Sequence, residues 1–155
     1  MFRERQFLSP ALVGAVALVS GLSVGWLWRS LFVVTVGRQA GLGGAVLGSV
    51  ILLIVIAAVV SIHMTTTVRT GVLSVALWPF ARLSVALAEV DQAEPIRYSP
   101  MGDFGGWGLR PGLGGQMYSL RGAEAVRIGL TNGSVIYIGT AHPEALVKAI
   151  RQSAT

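Results

Sequence analysis

Cysteine is absent from this chain, lysine occurs once against eleven arginines, and only seven carboxylate side chains and two histidines are spread over 155 residues. Without cysteine, disulfide frameworks, thiolate metal sites and cysteine nucleophiles are excluded. His63 and His142 lie far apart in sequence with no serine or carboxylate constellation beside them. An acid-base centre or zinc site has no basis in that distribution, so no catalytic residue, metal ligand or cofactor is assigned and the chain reads as a non-enzyme.

Charge is scarce throughout, at 12% of residues, while 53% are hydrophobic and the mean hydropathy is +0.68. No ionisable residue occurs in Phe7–Trp28 or in Gln39–Ile62. A hydrocarbon core about 30 Å thick needs roughly 20 apolar residues in a helix, so two transmembrane spans are predicted, at about 7–28 and 41–62. The basic start, Met1 to Gln6, imitates a signal peptide, but the apolar run is longer than a signal core and no small-x-small site follows it. Residues 1–62 thus read as an N-terminal segment with a two-helix transmembrane hairpin, and 63–155 as one small domain.

The net charge of +5 belongs to topology rather than to nucleic acid, because Arg3, Arg5, Arg29 and Arg38 flank the spans and the remaining arginines are interspersed with carboxylates. Arg3 and Arg5 precede the first span, Arg69 and Arg82 follow the second, and Arg29 and Arg38 lie between. Four against two places both termini in the cytoplasm. Trp26 and Trp28 beside Arg29 read as the interfacial end of the first span, rings at headgroup depth with the charge outside. Gly21 with Gly25, and Gly44 with Gly48, form small-xxx-small pairs at similar predicted depth, suited to sealing the hairpin or to a dimer face. Neither span has an ionisable residue at its middle, which argues against a transport pathway in a single copy.

After His63 the period changes from helical to two, the mark of strands packed on one face. Leu73, Val75 and Leu77 alternate with smaller residues, and Leu83, Val85 and Leu87 repeat the pattern. A third span over Gly71–Ala88 is the competing reading, opposed by Arg82 and Pro79. Val126, Ile128 and Leu130 alternate up to Asn132-Gly133, which turns the chain into Val135–Ile138; Asn-Gly predicts a type I′ turn. Thr140, Pro143 and Glu144 predict a helix start with a hydroxyl cap, an early proline and an acid at the positive end of the dipole. That helix, at about 141–151, has Leu146, Ala149 and Ile150 on one face. Glu89, Asp91 and Glu94 before Pro95 read as a solvated loop.

Between these segments runs Asp103-Phe104-Gly105-Gly106-Trp107-Gly108-Leu109-Arg110, then Pro111-Gly112-Leu113-Gly114-Gly115. The run lacks the Lys-Ser or Lys-Thr of a phosphate loop and precedes no helix, so turn and bulge chemistry explains it, with Trp107 expected as a core anchor.

Phe2-Arg3-Glu4-Arg5-Gln6, the segment Gly105, Gly106, Trp107, Gly108, x, Arg110, and the closing Ile138-Gly139-x-x-x-Pro143-Glu144-x-Leu146 give the chain its resemblance to small bacterial membrane proteins with a PH-like domain after a two-helix hairpin. The resemblance implies a bent antiparallel β-barrel capped by a C-terminal helix, in a family largely without an assigned biochemical role. Fold-level likeness carries little function. Eukaryotic PH domains hold inositol lipids on a basic cluster in the first inter-strand loop, which here is only Arg69-Thr70-Gly71, so no specific phosphoinositide is expected. The expected role is a non-catalytic membrane-anchored interaction or scaffold protein at the cytoplasmic face of the plasma (inner) membrane of a bacterium. Its partners would be the lipid bilayer and a membrane protein or second copy of the chain, not nucleic acid. The alternative is an accessory subunit of a larger transport or secretion assembly.

Overall fold

The computed structural model describes residues 2–34, 40–112 and 114–153, the side chains of 31–34, 40–42 and 45 excepted. Arg38 and Gln39 of the expected inter-span loop, and Leu113 of the glycine-rich run, lie outside the described residues. The chain divides into two compact units, one formed by Leu8–Ser61 and the other by Met1–Phe7 together with Ile62–Thr155.

The first unit holds helices α1 (Pro10–Val34) and α2 (Ala40–Ser61). Ser9 starts α1 by accepting the Leu12 N–H at 3.2 Å, and Pro10 occupies the first helical position, where its missing N–H costs nothing. Serines inside the helices bond back to their own backbone, Ser23 to the Val19 carbonyl at 2.8 Å and Ser61 to the Ala57 carbonyl at 2.7 Å. Such back-bonding satisfies a hydroxyl without water. Both helices are apolar around their circumference, which is the pattern of a helix whose surroundings are not aqueous. By length and composition α1 over Pro10–Ser30 is able to cross a membrane, whereas the described apolar stretch of α2, Val46–Ser61, is shorter than a span. One span is therefore supported on that test, and the two-span hairpin goes beyond it.

Among the described residues, the second unit contains nine strands in two sheets. The first sheet has the order β1-β2-β3-β4, built from β1 (Phe2–Phe7), β2 (His63–Arg69), β3 (Val72–Trp78) and β4 (Ala81–Ala86), all antiparallel. Phe2–Phe7, which the hydropathy pattern leaves beside the anchor, is thus an edge strand of the domain. The expected alternation holds: Leu73, Val75 and Leu77 of β3 are buried together with Met64, Thr66 and Val68 of β2, and Val85 of β4. Each such aliphatic side chain contributes about 1.5–3 kcal/mol on full burial. Gly71–Ala88 accordingly forms strands rather than a third helix.

The second sheet has the order β5-β8-β9-β7-β6, with β5 (Val90–Arg97), β6 (Gly108–Gly112), β7 (Gly115–Ser119), β8 (Glu124–Leu130) and β9 (Val135–Gly139). The acidic Glu89–Glu94 stretch is mostly strand, not the expected loop. It tolerates its charges and Pro95 because β5 is an edge strand. The β8–β9 hairpin stands where Asn132-Gly133 placed it, with a different turn. Among the described non-glycine residues only Thr70 has positive φ, while Gly133 has φ +83°. The Leu130 N–H bonds to the Ser134 carbonyl at 2.9 Å, so the loop has three residues ending in a left-handed glycine, not the two of a type I′ turn. Positive φ at both Thr70 and Gly71 puts the primed type of turn between β2 and β3 instead.

A bent antiparallel barrel was expected, and that expectation is corrected: the described strands form two separate sheets without a closed barrel, and β7 runs parallel to β9. The physical reasons lie at the sheet edges. After β4 the chain turns through a 3-10 segment, Leu87–Glu89, and β5 enters the other sheet. At the far edge β6 contains Pro111, which has no N–H to give a further strand. Helix α4 (Pro143–Ser153) buries Leu146, Val147 and Ile150 and touches β1 and β2 of one sheet and β5 and β8 of the other. It starts two residues later than predicted. On the opposite face of β8 and β9, the single helical turn α3 (Pro100–Asp103) brings Phe104 edge-on to Tyr98 and Tyr137 at centroid separations of 5.6 and 5.3 Å.

Candidate functional site

The segment Gly105–Arg110 owes its shape to its glycines. Gly105, Gly106 and Gly108 have φ of +66°, +125° and +112°, conformations that side-chain-bearing residues seldom adopt. This backbone carries Trp107 outward, and its indole N–H donates to the Gly122 carbonyl at 3.0 Å. The Arg110 Nε donates to the Trp107 carbonyl at 3.4 Å. Trp107, expected in the core, is 42% exposed: its polar end is satisfied and the ring is left for something else.

That ring lines an open apolar cavity of about 400 Å³ with Ile62, Leu77, Phe80, Gly108, Leu109, Arg110 and Leu120. The cavity lies between the β3–β4 turn of the first sheet and β6, the edge of the second. Leu77 and Leu120 are buried in its floor, and Phe80, 66% exposed, stands at its rim. Arg110 is the one ionisable side chain among the described lining residues. Phe80, Ile62, Leu109 and Leu120 carry no motif, and the signal that could have found them is weak: an apolar Trp78-Pro79-Phe80 turn where polar residues are usual.

The same end of the first sheet carries further aromatic surface. Phe7 pairs with His63 across β1 and β2, and His63 with Trp78 across β2 and β3; ring centroids are 6.0 and 6.5 Å apart along this row. Trp78 is 49% exposed, and the Arg5 guanidinium lies over the Phe7 ring at 4.9 Å, a cation-π geometry. Arg82 lines a small hollow with Trp78 and Pro79.

At the start of α4 a different cluster fastens the chain's beginning to its end. The Glu4 carboxylate accepts from Gln6 Nε2 at 2.7 Å, from the Ala141 N–H at 3.0 Å and from the Thr140 hydroxyl. Gln6 Nε2 also reaches the Gly139 carbonyl at 3.2 Å, and the Thr140 hydroxyl accepts the His142 N–H at 3.1 Å. Glu4 thus serves the helix start that Thr140 was expected to cap alone. Nothing in sequence spacing pointed to a bond across 136 positions.

The buried polar groups elsewhere have structural causes. Burial pushes the Tyr98 phenol above its ordinary value, partly offset by the nearby Ser119 hydroxyl, although neither oxygen attains hydrogen-bond geometry. Burial likewise raises Tyr118. The Arg127 guanidinium is held above its usual value first by Tyr137 and then by Glu94, which it meets at 2.9 Å. No group of three or more histidine, aspartate or glutamate side chains is placed to hold a metal among the described residues.

In the helical unit the sequence-singled residues separate. Trp28 donates from its indole N–H to the Ser49 hydroxyl at 3.2 Å, tying α1 to α2, while Trp26 and Arg29 are exposed. Of the four glycines, Gly48 faces the other helix, where a Cβ would stand 3.3 Å from Leu27 Cδ2; at Gly21, Gly25 and Gly44 a Cβ would meet nothing within 4 Å. No family model matches the chain, and no curated protein matches it.

Proposed function

We propose that this chain is a non-catalytic membrane-anchored interaction protein, in which α1 and α2 form a transmembrane hairpin that holds the two-sheet domain at the cytoplasmic face of the plasma membrane. The observation that carries this is the pairing of Phe7 with His63 in adjacent strands. Two residues separate Phe7 from Pro10, and one separates Ser61 from His63. At most about 3.6 Å per residue, with paired Cα atoms about 5 Å apart, the first residue of α1 and the last of α2 lie within about 25 Å of each other. That is less than the roughly 30 Å of a hydrocarbon core. An even number of crossings satisfies this limit; a single crossing strains it. The balance of Arg3, Arg5, Arg69 and Arg82 against Arg29 and Arg38 then selects the cytoplasmic side.

A domain tethered this closely to a bilayer meets other membrane components at high effective concentration, so contacts too weak to matter in solution become occupied. This is the activity that the architecture itself supplies. The likeness to small bacterial membrane proteins points the same way. Alkaline carbonate extraction of membranes tests the reading: the full-length chain is expected in the pellet, and its release into the wash would overturn the anchor.

A further inference from the structure

The lining of the cavity between the β3–β4 turn and β6 has the composition of a lipid site, and its place in the chain supplies a source for the lipid. We propose that this groove binds one anionic phospholipid of the adjacent leaflet, with an acyl chain against Ile62, Leu77, Leu109 and Leu120 and the phosphate on Arg110. The proposal rests on the membrane anchoring argued above and deepens it by naming the ligand class and the residues that take it.

Three observations carry it. The first is chemical. An apolar floor under two exposed aromatic rings, Phe80 and Trp107, with a single cation at the mouth and no carboxylate among the described lining residues, matches a molecule that is apolar along its length and anionic at one end. The volume of about 400 Å³ falls in the range of about 300–1,000 Å³ usual for small-molecule sites. The second concerns the polar atoms. The indole N–H of Trp107 already donates to Gly122, so its ring presents apolar surface. Arg110 takes part in neither ion pair found among the described residues, which join Arg97 to Glu124 and Arg127 to Glu94. A guanidinium outside those ion pairs and beside apolar surface suits a phosphate, which it can grip with two parallel N–H donors.

The third is the tether. Ile62, which lines the groove, directly follows Ser61, the last residue of α2. At most about 3.6 Å of chain separates this lining residue from the end of α2, so the link itself keeps Ile62 near the leaflet in which the proposed anchor ends. Phe7, Trp78 and Arg82 at the same end of the first sheet extend the surface with rings and charge of the kind that populates that depth. The glycine-rich segment gains a role here, since its three left-handed glycines put Trp107 and Arg110 on this rim.

The test uses the full-length chain released from vesicles of dioleoylphosphatidylcholine with dioleoylphosphatidylglycerol into mild detergent, with retained lipid measured by native mass spectrometry. One phosphatidylglycerol per chain is expected, favoured over phosphatidylcholine by about fivefold, the effect of one arginine near an anionic headgroup. Arg110→Gln is expected to remove the preference and leave thermal unfolding unchanged, because the side chain is exposed. Leu109→Glu and Phe80→Ser, both on exposed rim positions, are expected to lower retention of either lipid. Retention that is equal for the two lipids, or that survives all three variants, would assign the lipid to the helix surface and overturn the groove. Carbonate extraction of the same membranes separates the two claims. A pelleted chain with unaltered lipid retention in the variants refutes the groove alone, and a washed-off chain refutes both.

Discussion

Leucine is treated in opposite ways by the two units. In α1, Leu22 is 67% exposed; in β3, Leu73 is 1% exposed. In β2 and β3 alternating positions divide between a packed face and a more open one, and in β8 and β9 both faces are covered, so the apolar residues of the strands need only one another. The helices leave leucine, isoleucine and valine outward over most of their circumference, apart from the stripe where α1 and α2 meet. The same hydrophobic effect bears on both: packing satisfies it in the strands, and in the helices it leaves apolar surface that a bilayer would cover on the anchoring proposed above.

Breaking that contrast at its extreme should give the largest effects. Ile128→Ala in the fully buried centre of β8 is expected to cost about 2–5 kcal/mol of domain stability, read as a lowered denaturant midpoint, whereas Leu22→Ala should leave that midpoint alone. Leu22→Arg, by contrast, is expected to reduce membrane insertion by about 2.5–3.5 kcal/mol, read as a chain that no longer pellets after carbonate. Glu4→Ala removes a charged acceptor from Gln6 of β1 and from Thr140 and Ala141 at the start of α4 and is expected to cost about 1.5–3 kcal/mol, measured by chemical denaturation. Gly115→Ala sharpens the account of the parallel β7–β9 pair. A Cβ there would lie 2.8 Å from the Val135 carbonyl carbon and still closer to its oxygen, so the backbones must separate at a cost of about 1–3 kcal/mol.

The smallest effect is alkaline. A phenol whose folded pKa is raised gives stability that is fully present below the unfolded value of about 10 and is lost as pH rises through the folded value. Tyr98 and Tyr118 are both raised. Tyr98→Phe is therefore expected to flatten the decline of stability above about pH 10, at nearly no cost at neutral pH, because the hydroxyl has no geometric partner to lose. Circular dichroism melts from pH 8 to 11 would check it.

What was legible in the sequence follows from the range of each signal. Period-two alternation announced β3, β4 and β8, the Asn132-Gly133 turn announced β9, and the apolar face of Leu146, Ala149 and Ile150 announced α4, because each depends on neighbours a few positions away. The long apolar helix α1 was legible from the length and composition of its run. β1 was hidden because Phe2–Phe7 precedes an apolar run that dominates any window, and its partner β2 lies beyond both helices. β5 was hidden by its carboxylates and Pro95, which an edge strand accepts. Closure into a barrel was inferred from resemblance, and local pattern has no means of distinguishing one sheet bent round from two sheets stacked. The site divides similarly. Trp107 and Arg110 were singled out by the glycines around them, but their groove partners Phe80, Ile62 and Leu120 meet them only through the fold.

The absence of native cysteine makes the central claim directly measurable by single-cysteine labelling. Arg3→Cys in β1 and Asp91→Cys in β5 place reporters on exposed residues of two strands in different sheets, one before the helices and one after. With a membrane-impermeant maleimide, both are expected to stay unlabelled in intact spheroplasts and to label fully once the membrane is lysed. Labelling of either in intact spheroplasts, above all of one without the other, would contradict an even-crossing anchor with its domain inside.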